Sequence, residues 1–196
     1  MKKSKNIAGV DEVGRGCLAG PVVSAAVIFK KRIKNKHLIK DSKKLSFKQR
    51  YKISKYIKKN AYFAVGISSV EEINKFNILN ATMLSMKRAL KKLKKKPSLI
   101  LIDGTSAPKG LKKVKTIIKG DEKNKVISAA SIIAKVYRDI LMIKLSKKYK
   151  WYRWEKNFGY GTKDHMKSLL KYGINRHHRI KFKPVHNILF KKKIKH

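Results

Sequence analysis

Only eleven of the 196 side chains are acidic, against 52 lysines and arginines, so the positions of the acids carry information. Two stand side by side, Asp11 and Glu12, inside the apolar, glycine-rich run IAGVDEVGRGCLAGPVV (7–23). Two more, Asp103 in SLILID (98–103) and Asp121 in VKTIIKGD (114–121), close apolar segments of strand composition. A carboxylate at the end of a buried strand is costly to desolvate unless a cation meets it. A lysine could serve. Strand ends that bring several carboxylates to one spot fit a stronger cation better, a hard divalent ion such as Mg²⁺ or Mn²⁺ that prefers oxygen ligands. Taken singly, Asp103 before Gly104 and Asp121 after Gly120 read well as turn formers or caps; all the strand ends together fit that reading poorly. One geometric condition applies to the first pair. Neighbours on a regular strand point to opposite faces, so Asp11 and Glu12 share a site only if the strand ends or distorts between them. Gly9, Gly14 and Gly16 make that possible. Four other acids have plainer roles: Glu71 and Glu72 in the first turn of a helix, Asp139 paired with a lysine inside a long helix, and Glu155 on the surface.

The elements that must position these acids follow from pattern. Segments 6–13 and 20–29 read as strands joined by the turn region GRGCLAG. SFKQRYKISKYIKK (46–59) is a helix with Ser46 as N-cap, and AYFAVGISS (61–69) a third strand. A helix pair follows, VEEINKFN and then a second helix ending at Pro97. After the strands at 98–103 and 114–121 comes the strongest helical pattern, 126–149, and then shorter helical pieces over about 150–190. Residues 1–5 and 191–196 read as basic tails. With no repeat and no Gly/Ser linker, the expectation is one continuous α/β domain.

The formal net charge of +41 draws polyanions, nucleic acid first among them, although a Lys-, Ile- and Asn-rich composition also fits mutational drift. A lone cysteine, Cys17, can neither staple the fold nor build a Cys-rich zinc site, and points to the cytoplasm. CLAGPVVSAAVIF (17–29) is too short to span a bilayer, and Asp11, Glu12 and Arg15 interrupt any signal-peptide pattern.

The motifs GVDEVGRG, AGPVVSAAVIF, DSKKLS, LIDG, GD with ISAASIIAKVYRD, GYGT and HRIKFKPV, in that order over residues 6–186, resemble ribonuclease HII, the type 2 ribonuclease H. The resemblance implies a ribonuclease H-like fold, with a mixed central sheet flanked by helices and a small helical C-terminal part. It implies an endonuclease that cuts RNA in RNA–DNA hybrids and nicks duplex DNA 5′ to an embedded ribonucleotide. Asp11, Glu12, Asp103 and Asp121 match its four metal-holding carboxylates. Gly14, Arg15 and Gly16 match the segment whose backbone meets the 2′-hydroxyl, and Tyr160 the tyrosine that stacks near the RNA–DNA junction. Lys43 and Lys44 match a basic loop near the substrate phosphates. Cys17, Thr105, Ile174 and Lys181 depart from the common pattern.

Two divalent ions about 4 Å apart activate water, stabilise the phosphate and assist the leaving oxygen. On that template Asp11 bridges both ions, Glu12 and Asp103 complete one shell, and Asp121 holds the other. A protein of this kind is expected to be a monomer. His165, His177 and His178 lie in a lysine-rich segment and read as surface or phosphate-contacting residues. Trp151, Tyr152 and Trp154 read as core cover. Two other classes compete. A non-catalytic, ribosomal-type binder explains the charge and leaves the strand-end acids unexplained. Ribonuclease HIII would bring an additional N-terminal domain and lack the pairing of GRG with the tyrosine.

Overall fold

VVSAAVIF, residues Val22–Phe29, is a strand in which everything from Val22 to Ile28 is buried, so both its faces must be covered. This strand, β2, pairs antiparallel with β1 (Ile7–Val13), which in turn pairs parallel with β4 (Leu99–Asp103). The structure is a computed structural model and describes residues 6–31, 38–39 and 42–193. With β3 (Ala61–Ser68) and β5 (Val114–Ile117) the sheet is five-stranded and mixed, in the order β3-β2-β1-β4-β5.

Helices cover both faces. On one lie α1 (Phe47–Asn60) and α4 (Lys125–Lys148), packed over Ala25, Val27 and Leu101. On the other lies α2 (Val70–Lys91), whose Met86 and Ala89 pack on Val10, Ala26 and Ile102. The start of α4 lies directly on β1: a Cβ on Gly9 would stand 2.3 Å from the Val126 carbonyl, so only glycine allows this approach. Ser46 caps α1 in a reciprocal capping box with Gln49, as its position in the sequence predicts.

After α4 the chain forms a 3-10 turn (Lys150–Tyr152), α5 (Trp154–Asn157), α6 (Lys163–Tyr172) and α7 (Lys183–Lys193). These bury Leu169, Val185 and Ile188 with Tyr152 and Trp154 against Met142 of α4 and Leu18 and Ala19 of the β1–β2 loop. No helix among the described residues is long and apolar enough to cross a membrane.

Four expectations need correction. β5 stops at Ile117, and Asp121 sits in the short helix α3 (Gly120–Lys123), because Lys119 turns left-handed at φ 54° and breaks the strand. The helix pair is present, divided at Asn77 (φ 68°), whose side-chain oxygen accepts from the Asn80 N–H and caps the second half; that half ends at Lys91 rather than at Pro97. The tail expected over 191–196 is helical through Lys193, while 1–5 and 194–196 lie outside the described residues. Trp151 does not cover the core: it is 45% exposed, whereas Tyr152 and Trp154 are buried.

Candidate metal centre and nucleic-acid interface

The register of the sheet sorts the acids. Asp11 pairs with Ala25 and Glu12 with Ser24 in an unbroken antiparallel ladder. Ala25 belongs to the α4 side of the sheet, and the Ser24 hydroxyl bonds Ser85 of α2 on the other, 2.6 Å away. The strand therefore neither ends nor distorts between the two acids, and they take opposite faces. Asp103 follows Leu101 at strand period on the α4 side. Its Oδ1 accepts from the Gly120 N–H at 2.6 Å, which brings the first turn of α3 alongside. Carboxylate oxygens of Asp11, Asp103 and Asp121 come within 4.8 Å of one another. Glu12 is outside that trio but lines the same cavity, of about 280 Å³.

The electrostatics of the cluster are those of like charges held close together, an arrangement that favours a cation among them. Burial, then the Glu12 charge, pushes Asp11 well above the ordinary carboxylate range, with Asp103 adding to it and a bond to Ser131 opposing it. Burial also raises Glu12, against the nearby Arg15, and raises Asp103, against the Gly120 N–H. Lys43 lies 3.2 Å from Asp121, and Arg15 lies 3.1 Å from Glu12 Oε1. Glu12 Oε2 is buried without a hydrogen-bond partner. An all-oxygen donor set in which Asp11, Glu12 and Asp103 are raised, together with an unsatisfied buried oxygen, fits hard divalent ions.

The other sequence-derived residues fall around this cluster. Gly14, Arg15, Gly16, Lys43 and Tyr160 line the same cavity, joined by Ser42, Ser131 and Lys135, which sequence reasoning missed. Lys44 closes the 3-10 turn Ser42–Lys44, and its side chain lies outside the described residues. Tyr160 is 38% exposed at the cavity wall. Burial, then neighbouring Cys17, pushes its phenol up to about 12, so it stays neutral. Lys135 is anchored to Asp139 at 2.7 Å, and its Nζ stands 5.8 Å from the Tyr160 ring. Asp139 has the predicted lysine partner and also Arg50, at 3.5 Å.

Two buried arginines brace the loops that carry these groups. Arg138 donates to the carbonyls of Ala19, Pro21 and Phe158 at 2.8–2.9 Å, tying the β1–β2 loop to the Tyr160 segment. Arg179 donates to the carbonyls of Gly14, Arg15 and Gly20. Gly14 has φ +92°, and a Cβ there would meet Arg138 Nε at 2.2 Å. Both arginines lie inside quoted motifs, VYRD and HRIKF. The default expectation that arginine is exposed hid them.

The histidine expectation is overturned for two of the three residues: His165 and His178 are buried, while His177 is partly exposed. The Trp154 indole N–H donates to His165 Nε2 at 3.1 Å, which leaves Nδ1 to donate to the Tyr160 carbonyl at 2.9 Å. The Asn175 N–H donates to His178 Nδ1, so the His178 Nε2–H donates to His165 Nε2 at 3.2 Å. Both rings are satisfied only when neutral. Burial holds both below the ordinary histidine value, with His178 lowered to about 3. Of the departures from the family pattern, Ile174 packs in the C-terminal apolar cluster, Cys17 is buried beside Tyr160, and Thr105 and Lys181 are exposed.

The ribonuclease HII family model matches residues 8–186. Ribonuclease HII of Pelagibacter ubique is 54% identical over 187 residues, covering 94% of this chain and 100% of that protein. The enzyme of Wolbachia pipientis is 52% identical over 179 residues, 91% of each chain. Among solved structures, ribonuclease H2 of Pyrococcus horikoshii OT3 aligns with a TM-score of 0.80 at 29% identity, covering 96% of this chain and 99% of that one. The expected ribonuclease H-like architecture is thus present, and a purely non-catalytic binder is set aside. Fold, motif order and relatives agree: the chain belongs to the ribonuclease HII family, metal-dependent endonucleases that hydrolyse RNA in RNA–DNA hybrids.

Proposed function

We propose that this protein also nicks duplex DNA on the 5′ side of an embedded ribonucleotide, leaving 3′-hydroxyl and 5′-phosphate ends, and so serves ribonucleotide excision repair. The observation that carries the reading is the sharing of one cavity by three convergent aspartates, the Gly14–Gly16 backbone and Tyr160. Asp11, Asp103 and Asp121 would hold two divalent ions, Mg²⁺ or Mn²⁺, with Glu12, which lines the same cavity, adding a further carboxylate. Ions held there supply charge that polarises the scissile phosphate and activates water. The chain supplies everything else. Among the described residues the titratable groups lining the cavity are carboxylates, Arg15, Lys43, Lys135 and Tyr160, and the carboxylates and water handle protons there. The Gly14–Gly16 backbone, without side chains at either end, approaches the sugar and bonds the 2′-hydroxyl that distinguishes RNA from DNA. Neutral Tyr160 offers a face for stacking at the junction. Arg15 and Lys43, already at the rim, contact phosphates, and Lys44 belongs to the same basic loop.

We further take residues 1–196 as one catalytic domain whose segment 150–190 contacts substrate. The protein acts as a monomer in the cytoplasm; a single buried cysteine and a nucleic-acid substrate support the compartment. The test uses duplex DNA carrying one ribonucleotide, incubated in Mg²⁺, in Mn²⁺ and in chelator, with product ends mapped. A metal-dependent nick 5′ to the ribonucleotide is expected. Cleavage of long hybrids without that nick would sink the proposal.

A further inference from the structure

Arg179 is fully buried and makes no ion pair among the described residues. Its guanidinium spends its donors on three backbone carbonyls: Nη1 on Arg15 (2.7 Å), Nη2 on Gly14 (2.6 Å) and Gly20 (2.9 Å), and Nε on Gly20 (3.0 Å). Its own N–H donates to the Leu18 carbonyl at 2.8 Å. A buried charge without a counter-ion is an expensive way to fill space, and an apolar side chain of similar volume would serve packing at lower cost. What an apolar chain could not do is satisfy converging carbonyls in a fixed fork.

The loop it holds needs outside support. A backbone that must approach a sugar closely is built from glycine, and glycine leaves the conformation loosely determined. Gly14 at φ +92° and Gly16, around which a Cβ would meet nothing within 4 Å, supply no order of their own. Order arrives instead from a residue 164 positions further along the chain. The next residue back, His178, forms a bridge with Ala19 in the same loop, so the brace is itself tied down.

We infer that Arg179 is a positioning residue for ribonucleotide discrimination: by fixing the Gly14 and Arg15 carbonyls it sets how well the loop senses the 2′-hydroxyl, without touching substrate. This rests on the reading that the Gly14–Gly16 backbone meets that hydroxyl.

The experiment compares two duplexes identical except at one nucleotide, ribose in one and 2′-deoxy-2′-fluororibose in the other. Selectivity is the ratio of their kcat/KM values, taken on one preparation, so a partly unfolded sample cancels. Arg179→Lys keeps the charge but loses the fork. It should cut the selectivity of the wild-type protein about tenfold or more, through loss of cleavage at the ribose. Mn²⁺ binding by calorimetry should be unchanged, since the aspartates are untouched. Should Arg179→Lys not fold, Arg179→Gln, which retains an amide donor, gives the same ratio. Equal losses on both duplexes, leaving the ratio intact, would make the arginine merely structural and overturn the inference. A wild-type ratio near one would overturn the underlying reading of the loop, and the inference with it.

Discussion

Asp11 is poised against its own stability. Its raised pKa means that, without a cation, the ionised carboxylate works against folding; its favourable contribution is fully present below the unfolded value and is lost as pH rises through the folded one. Asp11→Asn should therefore have two opposite effects. In Mn²⁺, cleavage should fall by more than about a hundredfold, since even indirect support of a ligand is worth roughly 10–100-fold. In chelator, the melting temperature should rise, because the amide oxygen can still accept from the Glu12 N–H while the buried charge is gone. Relief of about 1 kcal/mol corresponds to roughly 2–4 °C for a chain of this size. A lower melting temperature in chelator would refute the account of the cluster as strained by like charge. The three aspartates were legible because acids are rare here and stand at the ends of apolar segments. Glu12 was only half legible: adjacency in sequence is not adjacency on a strand, and the regular register put it on the far face. Arg179 and the histidine pair were not legible at all, because burial of a polar side chain depends on carbonyls and rings contributed by distant segments.

The element that most needed the structure is the helical segment after α4. Its aromatic core closes around a neutral histidine pair, and that has a consequence for pH. His178 titrates near 6.5 when unfolded and only near 3 when folded. Between these values the unfolded chain binds a proton that the folded chain refuses, so stability declines as pH falls below about 6.5. The limit is about 1.4 kcal/mol per pH unit for one such group. His178→Gln should lower the melting temperature at pH 7, where it loses hydrogen bonds, yet flatten the fall between pH 7 and pH 5. Parallel curves for the two proteins would show that His178 takes up its proton while folded. A second element-scale expectation concerns α4, which starts at Lys125 behind the N-cap Asn124, whose side chain accepts from the Val126 N–H at 3.0 Å. Asn124→Ala should destabilise by about 1 kcal/mol in urea unfolding. Helix positions, the Ser46 cap and the sheet strands were readable from period and composition. The boundaries at Ile117 and Lys91 were not, because left-handed Lys119 and the early stop of α2 carry no glycine or proline signal at those positions.

At the scale of the whole molecule the open question is whether a net charge of +41 is work or drift. The acids divide the protein into a small anionic centre inside a cationic shell, and the two respond differently to salt. Contacts between surface lysines and phosphates release condensed counterions, so log K falls linearly with log salt at a slope of about −0.9 per phosphate neutralised. The carboxylate cluster is buried and screened much less. Raising salt from 50 to 200 mM should therefore weaken hybrid binding by about 10³-fold or more if six or more phosphates are engaged. The turnover rate at saturating hybrid should change little over the same range. Fluorescence anisotropy in Ca²⁺, where binding can be followed without cleavage, would supply the slope. A slope near −6 or steeper assigns the lysine excess to substrate capture. A slope no steeper than about −2 means that Arg15, Lys43 and a few neighbours do all the phosphate binding, and most of the remaining charge reflects composition.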